Sequence, residues 1–529
     1  MTIKRRSLSP RIPLIFALAT LALALFAPQA LARYVYTGNY EDGTVSVIDT
    51  ATNQVVGSPV PAGDTDGPYT MAITPNGRTL YVGNSASQDL RIIDTATNQP
   101  IGTVSLGDNP EVIAISPDGK TAYVTVGSDA VAVIDLQTNQ VTGAAIPAGK
   151  GALGVAFSPD GATAYVANEQ DNTVTVIDTS SRQVVGTPIP VGEEPINVVV
   201  SPDGKTVYVN NEGGDSVSVI DAASRQAVAA IPVGNEPWGL GLSPTGARLY
   251  VSNYGDDNLS VIDTAARQVV GGAIPTGDEP YELAVTPDGN SVYVANYGDE
   301  DSVTVINTQT GQANNIPVPG GPWQVAIVPD QSPVASFTAK ATKKNPLRIG
   351  FTSTTVDSDG TATSFDWNFG DGKVFPGGPA TLKHTYAKAG KYTVGLTTTD
   401  NEGCSANMVF TGRTASCSGA APAAQLITVK APNNFKFGKL IRNTKKGTAK
   451  LKVKVPYAGK LTLSGKNVKR VKRGAKKKGT VVLNIKPKGK AVKQLAAEGN
   501  AKVRIKVTFK PKGNKAKTKS RAVKLILKK

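Results

Sequence analysis

The chain has 529 residues, with 57 Lys+Arg against 41 Asp+Glu, a formal charge of +16, one histidine and two cysteines. That length supports more than two domains. So few His and Cys exclude the usual zinc ligand sets and leave little room for Ser-His-Asp or Cys-His catalysis.

The N-terminus reads as an export signal spanning residues 1–32. Lys4-Arg5-Arg6 is basic, Ile12 to Phe26 is almost wholly apolar, and Ala30-Leu31-Ala32 is a small-x-small cleavage signal. An uncleaved membrane anchor is the alternative. No second apolar stretch reaches the roughly 18 residues a membrane helix needs, so no transmembrane helix is expected after cleavage. The expected location is secreted or cell-surface.

A unit of about 43 residues then recurs seven times. Its leading tyrosines stand at 36, 81, 123, 165, 208, 250 and 293. One copy reads Tyr165-Val-Ala-Asn168, Thr173-Val-Thr-Val-Ile-Asp178, Gln183-Val-Val, Ile189-Pro-Val-Gly192 and Ser201-Pro-Asp-Gly204. Four short β-runs per unit are the sequence form of a propeller blade. The last copy ends at Asp330 with no Tyr-Val run after it, whereas an unpaired run, Tyr34-Val-Tyr-Thr-Gly38, opens the first. A seven-bladed ring over 33–330, closed by its N-terminal strand, is therefore expected, because it leaves no open sheet edge. Tyr81-Val-Gly-Asn84, Tyr165-Val-Ala-Asn168, Tyr208-Val-Asn-Asn211, Tyr250-Val-Ser-Asn253 and Tyr293-Val-Ala-Asn296 resemble the repeat of the YVTN family of β-propellers, while Tyr36-Thr-Gly-Asn39 and Tyr123-Val-Thr-Val126 depart from it. The resemblance implies a fold and leaves function open.

If, as that resemblance implies, the apolar run before each Pro-Asp-Gly is the innermost strand, its second residue lies at one mouth of the channel. These residues are Tyr69, Glu111, Leu153, Ile196, Trp238, Tyr281 and Trp323. Four are aromatic and come from consecutive blades; Tyr40, Tyr254 and Tyr297 join them from the neighbouring loops. Glu41, Asp42, Asp256, Asp257, Glu282, Asp299 and Glu300 lie nearby. Amphipathic rings at a channel mouth suit a glycan, a peptide, a protein or a cationic group, although rings that simply pack between blades would give the same pattern. The next channel positions, Thr70, Val112, Gly154, Asn197, Gly239, Glu282 and Gln324, hold a single acid. That argues against the oxygen cluster of a metal-dependent lactonase. No catalytic residues, metal or cofactor are assigned. The Asp of Val-Ile-Asp (Asp49, Asp94, Asp135, Asp178, Asp221, Asp263) belongs to the opposite face and is expected to cap turns.

Residues 333–429 change character. Trp367-Asn-Phe-Gly-Asp-Gly372 and His384-Thr-Tyr386 closely resemble the signatures of the polycystic kidney disease (PKD) domain. That resemblance implies an immunoglobulin-like sandwich used as a spacer or interaction module, with His384 structural. Asp357-Ser-Asp-Gly360 reads as a solvated turn rather than a calcium loop. Cys404 and Cys417 are unique and close in sequence, which in an exported chain permits a disulfide worth roughly 3 kcal/mol.

From Lys430 to Lys529 there are 34 Lys+Arg and one acid, Glu498, giving +33; with the whole chain at +16, residues 1–429 carry −17. Lysines alternate with apolar residues, as in Ala449-Lys-Leu-Lys-Val-Lys-Val455, so a small β-sandwich with one cationic side per strand is expected over 430–529. Lys488–Glu498 reads as a short helix. The cluster Lys469, Arg470, Lys472, Arg473, Lys476, Lys477 and Lys478 reads as an exposed loop. The scarcity of aromatics here argues against nucleic acid, and export favours an anionic cell-wall polymer or polysaccharide. A merely solubilising surface is the alternative. The whole reads as an all-β, non-enzymatic binding or adhesion scaffold; a lactonase-like or quinoprotein-like propeller enzyme and a structural surface-layer protein remain open.

Overall fold

A computed structural model of the chain describes residues 34–63, 67–127, 129–298, 301–343, 345–357, 360–400 and 422–528. The expected export signal, the Cys404–Cys417 disulfide, and Asp299 and Glu300 of the acidic rim lie outside these residues.

Seven sheets of four or five short strands form the propeller, strung along the chain so that each turns over at a Pro-Asp-Gly or related turn. Their inner two strands are buried on both faces, as in Thr163–Asn168 and Pro195–Val200, because each sheet packs between two neighbours. The alternation of a one-sided sheet is accordingly lost there. Ring closure follows the expected register. Tyr34–Asn39 is laddered on one side to Thr44–Asp49 and on the other to Pro322–Ile327, with Val35 opposite Ile327 and Gly38 opposite Gln324. Both ends of the ring thus contribute to one blade.

The repeat residues have identifiable mechanical work. The Asn ending each Tyr-Val-x-Asn strand ties a hairpin: Asn168 Nδ2 donates to Thr173 Oγ1 at 3.0 Å and Thr175 Oγ1 at 2.9 Å, and its Oδ1 accepts from Gly149 N at 3.0 Å. A Cβ on Gly149 would stand 2.6 Å from the Asn168 side chain, so the paired glycine is required. At the other face each Val-Ile-Asp aspartate caps its turn, as where Asp178 accepts from Ser181 N at 2.8 Å. Backbone hydrogen bonding from Ser181, with the Ser180 and Ser181 hydroxyls, holds the Asp178 carboxyl down at about 2.

The leading tyrosines join successive blades. Tyr36, Tyr81 and Tyr293 donate their hydroxyls to Asn98, Asn139 and Asn53 at 2.7, 2.6 and 2.5 Å. Each of these asparagines has a left-handed backbone, φ 53–55°, which Asn tolerates well. Arg182 takes the corresponding left-handed place facing Tyr123, turns its guanidinium to Thr142, and leaves the Tyr123 hydroxyl with no partner among the described residues.

After Ile327 the chain leaves on the face of the Pro-Asp-Gly turns, where Gln331 Nε2 donates to Pro75 O at 2.9 Å. Two sheets follow, Phe337–Ala341, Arg348–Ser353 and Thr381–Thr385 against Val374–Gly378, Ala362–Asn368, Gly390–Asp400 and Ala423–Val429. They enclose Phe351, Trp367, Tyr386 and Leu396. His384 is structural here: its ring stacks on Phe369 at 4.1 Å and its Nε2 lies 2.8 Å from Asp371 Oδ2.

The C-terminal sandwich pairs a three-stranded sheet with a four-stranded one around Leu451, Leu461, Ile505 and Phe509. In Asn500–Pro511 apolar residues point in and lysines out at strict alternation. The expected helix is present at Lys490–Glu498. The basic cluster departs from expectation: Val471–Ala475 is an edge strand paired with Gly459–Leu463 rather than a loop. Its cations guard an edge that would otherwise accept another strand.

We expect Tyr36→Phe and Tyr293→Phe each to lower propeller stability by about 1 kcal/mol, the net value of a buried hydrogen bond. Tyr123→Phe should cost less than half of that. Denaturant midpoints of the three variants check the contrast; equal losses would contradict it.

Candidate functional site

The seven aromatic residues expected at the channel mouth form one cluster. Trp323 is its hub. Its ring stacks on Tyr281 at 4.0 Å and meets Tyr69 at 5.1 Å, Tyr297 at 5.1 Å, Tyr40 at 5.5 Å and Trp238 at 6.4 Å. Trp238 also meets Tyr281 at 4.9 Å, and Tyr254 closes the far side at 5.1 Å from Tyr281. The edge-on and offset geometries are those that ring quadrupoles favour. Six of the rings are half-buried; Tyr281 is only 8 % exposed, lying under Trp323 rather than at the surface. The cluster packs upon itself, and it shows a patch of ring edges and faces to solvent.

Beneath the rings the channel is nearly filled. Tyr69, Glu111, Leu153, Asn197, Trp238, Glu282 and Trp323 enclose about 30 Å³, room for a water or two. Glu282, expected among the ligand-facing acids, is 5 % exposed and sits in the channel wall, where Asn197 Nδ2 donates to its Oε1. The same amide donates to Trp238 O at 2.9 Å. Gly239 is needed beside this bridge, since a Cβ would come 2.5 Å from Tyr281 O.

Sequence reasoning did not single out the side chains that hold the inner strands. Asn210 Nδ2 donates to Trp238 O at 2.7 Å, Ser252 Oγ donates to Tyr281 O, and Thr125 Oγ1 donates to Leu153 O at 2.7 Å. All three occupy the third position of the Tyr-Val-x-Asn run. Polar residues at that otherwise variable position were the available signal.

The rest of the face is acidic and partly desolvated. Burial, then Asp108 and Glu169, pushes the Glu111 carboxyl up. Burial, then Glu194, does the same to Glu169. The Glu212 carboxyl is pushed up to about 7 by burial, then by Glu194, Glu236 and Glu169. Burial raises the Tyr69 and Tyr281 hydroxyls, with Glu111 next for Tyr69 and Tyr254 next for Tyr281. Among the described residues no group of three or more His, Cys, Asp or Glu converges to hold a metal ion.

Fold and site define a seven-bladed β-propeller protein with an appended PKD domain. Comparisons with known proteins agree: residues 106–269 match the family described as lactonase, 7-bladed beta-propeller, and residues 330–414 match the PKD domain family. A microbial collagenase of Vibrio alginolyticus is 36% identical over 90 residues, which is 17% of this chain and 11% of the collagenase, so the chain spans about a tenth of that relative. Among solved structures, Kuenenia stuttgartiensis hydrazine synthase is similar at 28% identity over 53% of this chain and 94% of that one, with a TM-score of 0.48. A putative 6-phosphogluconolactonase from Bacteroides uniformis is similar at 18% identity over 56% and 99%, with a TM-score of 0.48.

Trp323→Ala should cost about 3 kcal/mol, because it removes the hub and opens the channel. Tyr254→Ala, at the margin, should cost under about 1 kcal/mol. Urea midpoints check the ranking. Glu212 gives a pH test. Its folded pKa is above the ordinary carboxylate value, so its contribution to stability is fully present below that ordinary value and is lost as pH rises through about 7. Glu212→Gln should therefore stabilise the protein at pH 8, by about 1 kcal/mol after discounting for solvent screening, and change little at pH 4. A gain that is the same at both pH values would contradict the assignment.

Proposed function

We propose that the protein is an exported binding scaffold, retained at an anionic surface by its basic domain and contacting a glycan, peptide or protein ligand through the aromatic mouth of its propeller. The observation that carries this reading is the aromatic cluster over an almost filled channel. Seven rings from four neighbouring blades offer a rigid, amphipathic surface at low entropic cost, the composition that recognition surfaces favour. The pocket at these rings measures about 30 Å³, far smaller than the roughly 300–1,000 Å³ that small-molecule sites commonly enclose. The acidic rim adds a preference for ligands with cationic groups. The PKD domain leaves from the opposite face and serves as a spacer. Its match, and the likeness to a short part of a microbial collagenase, support an extracellular setting.

The lactonase-family match favours a second reading, in which the propeller hydrolyses a lactone. Hydrolysis would require the ring cluster to open and Glu282 to exchange its Asn197 partner for a metal or a water.

Two measurements test these readings. On glycan and peptide arrays the wild-type chain should bind a ligand that Trp238→Ala/Trp323→Ala loses by about tenfold or more, as expected for removal of two aromatic hot spots. Unchanged binding by that variant removes the aromatic mouth as the contact surface. Lactone hydrolysis in the presence of divalent metal, abolished by Glu282→Gln, would replace the scaffold reading with the enzymatic one. For retention, the full chain should stay on an acidic polymer at low salt and release near 1 M, where the screening length falls to about 3 Å. A chain ending at Val429 should not be retained; equal retention of the two sinks the anchoring role.

A further inference from the structure

A cleft of about 720 Å³ opens at one end of the basic sandwich, away from the aromatic site. Small residues make it. Gly459 ladders to Ala475 on one side and to Pro511 on the other, and a Cβ on Gly459 would stand 2.6 Å from Lys510 O and Pro511 Cα. A Cβ on Gly474 would meet nothing within 4 Å, so the missing side chain there leaves open space.

Lys460, Lys476, Lys510 and Lys512 line the same cleft. Lys460 and Lys510 are directly opposite in the ladder, an arrangement that like charges disfavour. Lys460 is opposite Gly474 on its other side, so no third side chain separates the ammonium groups from the open space. Among the described residues none of the four has an ion-pair partner, and from Lys430 onward the only acid is Glu498, on the helix. The cleft is of ligand size, it gathers cations, and nothing of its own domain neutralises them.

We propose that this cleft is the seat of an anionic polymer strand, whose phosphate or carboxylate groups meet Lys460, Lys476, Lys510 and Lys512 while its carbon skeleton lies over Gly474 and the methylene stems of those lysines. Lysine suits such a ligand, since it is a flexible point charge that demands no bidentate geometry. The carbon floor separates a polymer with several carbons between charges from bare inorganic phosphate. The edge strand Val471–Ala475, carrying Lys472 and Arg473, continues the cationic track beyond the cleft. This inference rests on the retention reading above and narrows it from a diffuse charge to a place.

The experiment uses the full chain with three probes: poly(glycerol phosphate), poly-L-glutamate and inorganic phosphate. The cleft variant Lys460→Gln/Lys510→Gln/Lys512→Gln is compared with a control of equal charge, Lys450→Gln/Lys490→Gln/Lys493→Gln. Gly474→Leu keeps every charge and fills the open space. The cleft variant should lose at least about tenfold more affinity for a polymer than the control, since each lysine close to an anionic surface counts individually. Gly474→Leu should lose affinity by a similar factor. Whichever polymer binds more tightly identifies phosphate or carboxylate as the preferred group, and inorganic phosphate should bind far more weakly than either. Equal losses in cleft and control variants, with Gly474→Leu unaffected, would overturn the cleft and leave diffuse retention standing. Failure of the wild-type chain to bind either polymer would overturn both.

Discussion

The strand Tyr34–Asn39, clasped between Thr44–Asp49 and Pro322–Ile327, is the contact on which the rest depends. A propeller without that ladder has two open sheet edges about 300 residues apart in sequence, each a template for aggregation. Closure also sets the aromatic site. Trp323 begins the strand that the N-terminal strand clasps, Tyr40 follows the clasping strand, and the two rings lie 5.5 Å apart. The hub of the cluster is thus formed where the two ends of the ring meet. A residue at this seam can reach Tyr69 of one neighbouring blade and Tyr281 of the other only when the ring is shut.

The repeats were legible because each of their residues does the same mechanical job several times. Tyrosine spacing fixed the blade count, the phase of the last copy fixed the closure, and the turn-capping aspartates behaved as their position implied. The aromatic arc was legible for a related reason: the same place in each repeat lands at the same height in the channel. Depth was not legible. Tyr281 and Trp238 occupy the same repeat position, yet Tyr281 is buried beneath Trp323 while Trp238 remains half-exposed. Their difference comes from the rings contributed by the adjacent blades, which no local pattern encodes. Glu282 was read both as a channel position and among the acids near the rings; it lies in the wall, held by Asn197, 85 residues away in sequence.

The basic domain shows a different limit. Alternation predicted its strands and its cationic outer side, but Lys469–Lys478 was read as a loop because lysine density looks like solvation. In the sandwich the same density is compatible with an edge strand, since an outer strand needs only one laddered neighbour and its side chains can all face water. Gly474 stands next to last in that strand. Its consequence is spatial: it leaves open the space over which Lys460 and Lys510 stand.

Charge segregation then constrains how the three parts work together under the proposed reading. The basic domain carries +33 and the chain before it −17, so near an anionic surface the two experience opposite forces. One end is drawn down and the other pushed away. Because the chain leaves the propeller on the face of the Pro-Asp-Gly turns, the repelled face, rich in carboxylates and aromatic rings, is the one opposite the tether. Electrostatics and chain direction therefore favour the same orientation, with the ring cluster turned outward. That orientation weakens with salt, since beyond about one Debye length, roughly 8 Å at physiological ionic strength, exposed charges cease to act on one another. The direction in which the chain exits the ring does not depend on salt, and it continues to separate the aromatic mouth from the tether when screening removes the rest.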